Sequence, residues 1–176
     1  MVKTPAMLKL YVYGSLKQGF WNHDHYCRGV VSVREAEVIG RLFKLPSGVP
    51  VLEVPPNLVL AEGTLDPRGD ALLQKEHAEC FGETRVAEPE MPGYMPEYGW
   101  GSVRGEIMSF NDPLLRLPHI DTLEGYLQGG SSPYRRLLYP SRHGSRVEPV
   151  WLYAAGCDSA DMRGEQMPLP SGRWPS

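Results

Sequence analysis

The 176-residue sequence contains only three cysteines and has no long apolar run. Cys27, Cys80 and Cys157 are odd in number, widely spaced and free of a CxxC pair. The sequence therefore predicts neither a disulfide framework nor a thiolate metal site. No apolar stretch approaches the roughly 20 residues that a membrane-spanning helix needs, and the N-terminal residues lack the apolar centre of a secretory signal. We expect a cytoplasmic protein without membrane partners.

A basic surface and the common nucleotide motifs are also missing. The formal net charge is −3 and the isoelectric point is near 6.0, with the basic residues scattered, so no nucleic-acid partner is expected. Neither GxxxxGK[ST] nor GxGxxG occurs in the sequence, and Ser15 lacks the flanking GxSxG of a nucleophile elbow. His23 and His25 flank Asp24, but histidines two residues apart diverge on a strand or a helix, so we expect no metal site.

Glycine and proline are abundant, at 19 and 17 residues, which is typical of short strands joined by many turns. Apolar runs bounded by these turns predict seven strands. The pattern indicates an α+β fold built on a curled or barrel-like sheet. The predicted strands are Lys9–Tyr13, Ala36–Leu45, Val49–Val54, Leu58–Leu65, Val103–Phe110, Tyr134–Tyr139 and Val147–Ala155.

Two segments have helical spacing, and a third opens near Asn22, which is suited to an N-cap. Asp70–Cys80 is predicted as a helix that Asp70 caps, with a buried stripe at Leu73, His77 and Cys80 or Phe81. Asn111–Glu124 is predicted as a kinked helix or two short helices, because Pro118 interrupts the pattern. Cys27 and Cys80 are expected to be small core residues. The Pro- and Gly-rich stretch Glu83–Gly101, with its exposed-looking aromatic residues, is predicted to cross the surface, and a lid is one interpretation.

The turn Tyr13-Gly14-Ser15-Leu16 follows the first strand and is a candidate binding loop. Backbone N–H groups at such a turn can bind a carboxylate or a developing oxyanion. Glycine after a strand is also common in ordinary turns, so an entirely structural role stays open.

Glu124 is the candidate acid–base residue. It shares a helix face with Asp121, and it precedes Gly125, a predicted helix stop. The negative end of the helix dipole and partial burial both favour the neutral carboxylic acid, which raises the pKa towards the range useful for a general base near neutral pH. A solvated glutamate in a last helical turn is the structural alternative.

These motifs, taken in order, resemble those of the γ-glutamylcyclotransferase-like (AIG2-like) superfamily. The first is Val12-Tyr13-Gly14-Ser15-Leu16-Lys17, followed by Gly19 and Asn22-His23. Gly40–Leu45 with Val49–Leu52 is similar to the second. The third comprises Arg104–Ile107, Leu117, Ile120-Asp121 and Leu123–Tyr126, followed by Tyr134-Arg135-Arg136.

The resemblance covers about residues 8–155 of a single predicted domain, 1–176. It implies a small mixed β-barrel with a few short flanking helices and a pocket at its mouth. A probable insertion occupies about 62–102, and residues 158–176 are predicted to form an irregular tail. We expect these two segments to shape the substrate site.

The resemblance also assigns site residues and a reaction. The family's catalytic glutamate falls on Glu124, its substrate-holding loop on Tyr13, Gly14, Ser15 and Leu16, and a pocket tyrosine on Tyr134. The implied reaction releases 5-oxoproline and a free amine from a small-molecule γ-glutamyl substrate, without a cofactor. A non-catalytic binding module and an amide hydrolase with Ser15 as nucleophile stay open as alternatives, and the oligomeric state is not indicated.

Overall fold

The computed structural model describes residues 6–83, 99–129, 132–155 and 166–175. These residues form eight strands and three α-helices. The strands are β1 Leu8–Val12, β2 Ser32–Lys44, β3 Pro50–Glu53, β4 Ala61–Glu62, β5 Gly101–Phe110, β6 Tyr134–His143, β7 Arg146–Ala155 and β8 Met167–Pro168; the helices are α1 His23–Tyr26, α2 Pro67–Glu83 and α3 Pro113–Glu124.

Five strands close into a barrel in the order β2-β5-β1-β7-β6, and a pairing of β6 with β2 completes the circle. Glu37 of β2 is the Cα partner of Arg142 of β6 at this closing contact. The β1–β7 pair is parallel, whereas β5 pairs antiparallel with both β1 and β2, and β6 pairs antiparallel with β7. The fold is therefore α+β with a small mixed barrel, as the motifs implied.

The long strand β2 belongs to two pairings, and Gly40 lies where the partner changes. The β2–β5 register runs unbroken from Ser32 opposite Ser109 to Gly40 opposite Gly101, and Arg41 begins the pairing with β3. A Cβ atom on Gly40 would lie 2.7 Å from the Glu53 carbonyl oxygen and 2.8 Å from Leu52 Cδ1. Only glycine allows β3 to approach so closely.

Two apolar clusters hold the fold together. One fills the barrel and includes Tyr11, Val38 and Ile107, which are almost completely buried. The other lies between the barrel wall and α3, where Leu117 and Ile120 pack against a group that includes Trp151. Burying one large apolar side chain contributes about 1.5–3 kcal/mol, so this second cluster fixes α3 against the barrel.

The structure corrects the prediction for residues 58–65. Residues Pro56–Leu58 form a single 3-10 turn, and a strand pairing is confined to Ala61 and Glu62 beside β6. Leu58 and Val59 belong to the cluster that fills the barrel, Leu60 and Ala61 pack against the cluster beside α3, and Leu65 is exposed. An apolar run therefore does not require ladder pairing here.

The structure also corrects the prediction for α2, which begins at Pro67 rather than at Asp70. Asp66 precedes the helix, and its carboxylate accepts the Arg68 N–H at 3.1 Å. Asp70 lies inside the first turn, where it is buried and pairs with Arg136. Cys80 is exposed, so it is not a core residue, whereas Cys27 is buried as predicted.

Gly144, in the left-handed region at φ 58°, lies in the turn that joins β6 to β7. In the C-terminal region, β8 pairs with β2, and Leu169 and Trp174 are buried. Cys157 and most of the predicted surface excursion, including Tyr94 and Tyr98, lie outside the described residues. Trp100, at its end, packs under the Arg41 guanidinium, whose centre is 4.0 Å from the ring centroid. None of the helices built from described residues has the length and apolar character needed to cross a membrane.

Candidate functional site

The loop after β1 is fixed by local hydrogen bonds. Lys17 N–H donates to the Gly14 carbonyl at 3.1 Å, which closes the turn. The sequence suggested that Asn22 caps α1, but its side chain makes no capping hydrogen bond. Its amide instead donates to Ser15 Oγ at 2.8 Å. The short helix α1 therefore holds the loop from one side.

His23 holds the same loop through a second contact. Its Nδ1 lies 2.9 Å from the Leu16 carbonyl oxygen. Ser15 Oγ thus accepts a hydrogen bond from the Asn22 amide, whereas His23, the nearest histidine in sequence, contacts the Leu16 carbonyl oxygen. A nucleophilic Ser15 would need a base to take its proton, and these contacts supply none. This geometry disfavours the Ser15 hydrolase alternative.

Gly14 lets the loop lie against β3. A Cβ atom at this position would be 3.0 Å from Cγ of Pro50, so a larger side chain would push the loop and β3 apart. Within the described part of the chain, the N–H groups of Ser15 and Leu16 have no protein acceptor. These two N–H groups are therefore the candidate donors for an anionic group at this turn.

The end of α3 positions Glu124. Gly125 is in the left-handed conformation, at φ 64° and ψ 29°. Tyr126 N–H donates to the Asp121 carbonyl at 2.9 Å, and Gly125 N–H donates to Thr122 at 3.4 Å. This is the Schellman arrangement, and it ends the helix at Glu124 as predicted. Pro118 is accommodated inside one continuous helix, not between two separate ones.

The loop and the end of α3 meet at one cavity of about 70 Å³. All six residues that the sequence singled out for the site line it, namely Tyr13, Gly14, Ser15, Leu16, Glu124 and Tyr134. A volume of this size has room for about two or three water molecules, each of which occupies ~30 Å³ in the liquid. The cavity therefore accommodates a small part of a substrate, and any larger substituent extends outside it.

Glu124 is the one carboxyl group among the residues that line this cavity. Burial raises the pKa of Glu124 to about 7, and the negative charge of Asp121 acts in the same direction. Part of the side chain stays accessible because it faces the cavity, while surrounding protein atoms remove most of the water from the carboxyl group. A carboxyl group with this pKa can both accept and donate a proton near neutral pH.

The tyrosines of the cavity stay neutral at physiological pH. Burial raises the pKa of Tyr134 to about 12, and its hydroxyl donates to the Pro50 carbonyl at 3.4 Å. Burial also raises the pKa values of Tyr13 and Tyr153 well above the usual 10. The Tyr13 hydroxyl donates to the Tyr153 carbonyl at 2.7 Å. These groups shape the cavity, and Glu124 is the one that exchanges protons in the neutral range.

Sequence reasoning missed five lining residues, namely Tyr11, Val12, Val49, Pro50 and Tyr153. The run Val49-Pro50 carried a signal, because it belongs to the second motif of the resemblance. Tyr153 carried none, since a tyrosine in a closing strand is indistinguishable from a core residue until the barrel is closed.

A second, larger hollow of about 490 Å³ lies outside the barrel, over β2 and β5. It contains none of the predicted site residues. Its walls are charged, but much of that charge is already paired, since Arg142 bonds to Glu37 and Lys17 donates to the Trp174 carbonyl. We base the candidate site on the smaller cavity, because Glu124 and the loop residues Gly14, Ser15 and Leu16 line it together. Among the described residues, no cluster of three or more His, Cys, Asp or Glu side chains could hold a metal ion.

Comparison with known proteins bears on the fold. No family model matches the chain, and no curated protein matches its sequence. The structure of an AIG2-like protein from Mus musculus superposes with a TM-score of 0.54 at 14% identity, covering 92% of this chain and 85% of that one. The structure of YkqA from Bacillus subtilis gives a TM-score of 0.47 at 15% identity, covering 96% of this chain and 39% of that one. At these identities the likeness concerns the fold, and the protein has the AIG2-like fold that the order of its motifs implied.

Proposed function

We propose that this protein is a γ-glutamylcyclotransferase-type enzyme, which cyclises the γ-glutamyl group of an amide to 5-oxoproline and releases the free amine. The observation that carries the proposal is the placement of Glu124, whose carboxyl group has a pKa of about 7 and lines the same cavity as the Gly14–Leu16 loop. The motif resemblance supplies the reaction, and the AIG2-like fold supports it.

The reaction is an intramolecular aminolysis. The α-nitrogen of the γ-glutamyl unit attacks its own γ-carbonyl carbon, a C–N bond forms, and a five-membered lactam closes. Nucleophile and electrophile belong to one molecule, so the cavity contributes mainly by selecting the folded conformation and excluding water. We assign the closing ring to this cavity, because its lining combines Glu124 with the Gly14–Leu16 loop.

Proton movement is the part assigned to Glu124. The α-ammonium group must lose a proton before it attacks, and ionised Glu124 accepts it. When the tetrahedral intermediate collapses, the same carboxylic acid protonates the departing nitrogen. In total two protons leave the α-nitrogen and two reach the departing amine, so no water is consumed.

We assign to the Gly14–Leu16 loop the binding of negative charge on the substrate. We assign to the N–H groups of Ser15 and Leu16, which have no backbone acceptor among the described residues, the binding of the oxyanion that develops on the γ-carbonyl oxygen, or of the substrate carboxylate. The cavity lining holds no lysine or arginine, so backbone donors are the available partners for a negative group. Tyr134 is assigned to the wall beside the closing ring.

The test is a product assay on a panel of γ-glutamyl amides in water labelled with oxygen-18. The panel includes γ-glutamyl amino acids, a γ-glutamyl lysine side-chain amide and a γ-glutamyl anilide. Cyclisation gives 5-oxoproline without label, whereas a hydrolase gives glutamate carrying one labelled oxygen. Binding of these amides without any product would support the non-catalytic alternative and overturn the proposal.

A further inference from the structure

Asp121 lies one helical turn before Glu124 on α3, and the two carboxyl groups have unequal surroundings. Residues three apart on a helix share a face. One Asp121 oxygen accepts the Tyr153 hydroxyl at 2.6 Å, and the other lies 3.5 Å from Nη1 of Arg136. Within the described residues, the Glu124 carboxyl group has neither a hydrogen bond nor an ion pair.

We propose that Asp121 is a positioning residue that stays ionised and thereby favours the protonated form of Glu124. This inference deepens the proposed function and rests on it for its catalytic meaning. The reason is the asymmetry of partners. Hydrogen bonds and cations favour the charged form of a carboxyl group, and Asp121 has both kinds of partner. When two neighbouring acids differ in this way, the proton resides on the one without partners.

The groups around the pair come from three elements and from the loop after β1. Arg136 on β6, Tyr153 on β7 and Asp70 on α2 surround Asp121. Tyr13 and Tyr134 lie on the Glu124 side, and both tyrosines stay neutral. The buried group formed by Arg136, Asp70 and Asp121 holds one positive and two negative charges. Its net charge of −1 therefore faces Glu124 and opposes a second ionisation.

Arg136 is itself fixed, which leaves Asp121 little freedom to move. Its side chain is completely buried, and Nη2 donates to Asp70 at 2.7 Å and to the Thr64 carbonyl at 2.7 Å. Nη1 has no hydrogen-bond acceptor within the described residues. Its attraction to Asp121 therefore acts through charge rather than through a hydrogen bond.

The electrostatic balance agrees with this arrangement. Asp121 is the second cause, after burial, of the rise in the Glu124 pKa to about 7. Burial also raises the pKa of Asp121, but the Tyr153 hydrogen bond and the Arg136 charge act against that rise. Within the described residues, burial and the Asp121 charge both raise the Glu124 pKa.

The experiment is a titration of the free protein by carbon-13 NMR, with labelled glutamate and aspartate side-chain carboxyl carbons. In Asp121→Asn the Glu124 pKa is expected to fall by about one pH unit, since a like charge at helical spacing is removed. Asparagine keeps an oxygen that can accept the Tyr153 hydroxyl, so the hydrogen bond is preserved while the charge is lost. The low-pH limb of 5-oxoproline release should move by the same amount.

Two further variants keep the result interpretable. Tyr153→Phe removes only the donor to Asp121, because the bond from Tyr13 is made to the Tyr153 backbone. This variant should raise the Asp121 pKa and lower that of Glu124. Glu79→Gln removes an equal charge from an exposed position on α2 and should leave the Glu124 pKa unchanged.

An unchanged Glu124 pKa in Asp121→Asn and Tyr153→Phe would overturn the inference, and a fall in Glu79→Gln equal to that in Asp121→Asn would do the same. The titration uses no substrate, so its outcome is independent of the reaction. A shifted Glu124 pKa in a protein that releases no 5-oxoproline would refute the proposed function and leave the electrostatic coupling intact. Release of 5-oxoproline without a shift in the Glu124 pKa would support the proposed function and refute the electrostatic coupling.

Discussion

The end of α3 and the first turn of α2 each carry an inward-facing carboxyl group, but their surroundings differ sharply. Asp70 accepts the N–H and hydroxyl groups of Thr64, both at 2.9 Å, and it pairs with Arg136 at 2.7 Å. Glu124 is only partly buried at the cavity and has no such partner among the described residues, and burial raises its pKa to about 7. The comparison separates two uses of a buried acid: a fully partnered group joins elements of the fold, and an unpartnered group retains its reactivity.

Replacing Glu124 by glutamine should produce the largest effect, a loss of about 10²–10⁴-fold in kcat for 5-oxoproline release. Glutamine keeps the shape of the side chain and cannot carry the proton. Glu62→Gln is the matched control, because it removes a carboxylate from an exposed pair with Arg135. Normal turnover by a folded Glu124→Gln protein would remove Glu124 from the mechanism.

Replacing Asp70 by asparagine should act on the fold. The variant leaves the buried Arg136 without its closest anion, which costs on the order of 3 kcal/mol in the free energy of unfolding. Urea denaturation measures this loss. Glu62→Gln, which breaks an exposed ion pair, should lower the free energy of unfolding by less than about 1 kcal/mol. A loss for Asp70→Asn no greater than that for the control would contradict the comparison.

Glu124→Gln should change stability in the opposite direction. The native pKa of Glu124 lies above its unfolded value, so the charged form opposes folding once the pH exceeds the unfolded pKa. This penalty is absent below about pH 4.5, grows as the pH rises and is complete above about 7. Glu124→Gln should therefore stabilise the protein by about 1–2 kcal/mol more at pH 8 than at pH 4.5. Urea denaturation of both proteins measures this difference. An equal change in the free energy of unfolding at the two pH values would contradict the prediction.

Both carboxyl groups could be located from the sequence, but their roles could not be predicted equally well. Glu124 was identified because its signal is local: a helix face, a glycine that ends the helix, and a motif. Asp70 was predicted to cap a helix, since an acid near a helix start is typical of an N-cap. Its actual partner, Arg136, is 66 residues away. Only the closed barrel brings the two together.

The same limit applies to the rest of the fold. Strands with continuous apolar runs, such as β1 and β7, were predicted within one residue at each end. Residues 58–65 were predicted as a strand but pair only at Ala61 and Glu62. Leu58 and Val59 pack into the cluster that fills the barrel without ladder pairing, and hydrophobicity alone does not distinguish such packing from a paired strand. Tyr153 was missed because a tyrosine in a closing strand has the pattern of a core residue until the barrel is closed.

The smallest effects are expected in the outer hollow over β2 and β5. Arg142→Gln removes the exposed pair with Glu37, and it should change kcat/KM for 5-oxoproline release by less than about twofold. The reason is that the hollow shares no lining residue with the Glu124 cavity. Kinetics on the wild type and this variant at one pH suffice, and a large loss of activity would place the outer hollow in the reaction.

The most direct test of Glu124 as the proton carrier is the pH dependence of kcat/KM for 5-oxoproline release by the wild-type protein. Because ionised Glu124 takes the proton, kcat/KM should rise about tenfold per pH unit at low pH and bend near pH 7, where its pKa lies. The bend should vanish in Glu124→Gln. A bend near pH 4.5, or one near pH 7 that persists in Glu124→Gln, would contradict this assignment.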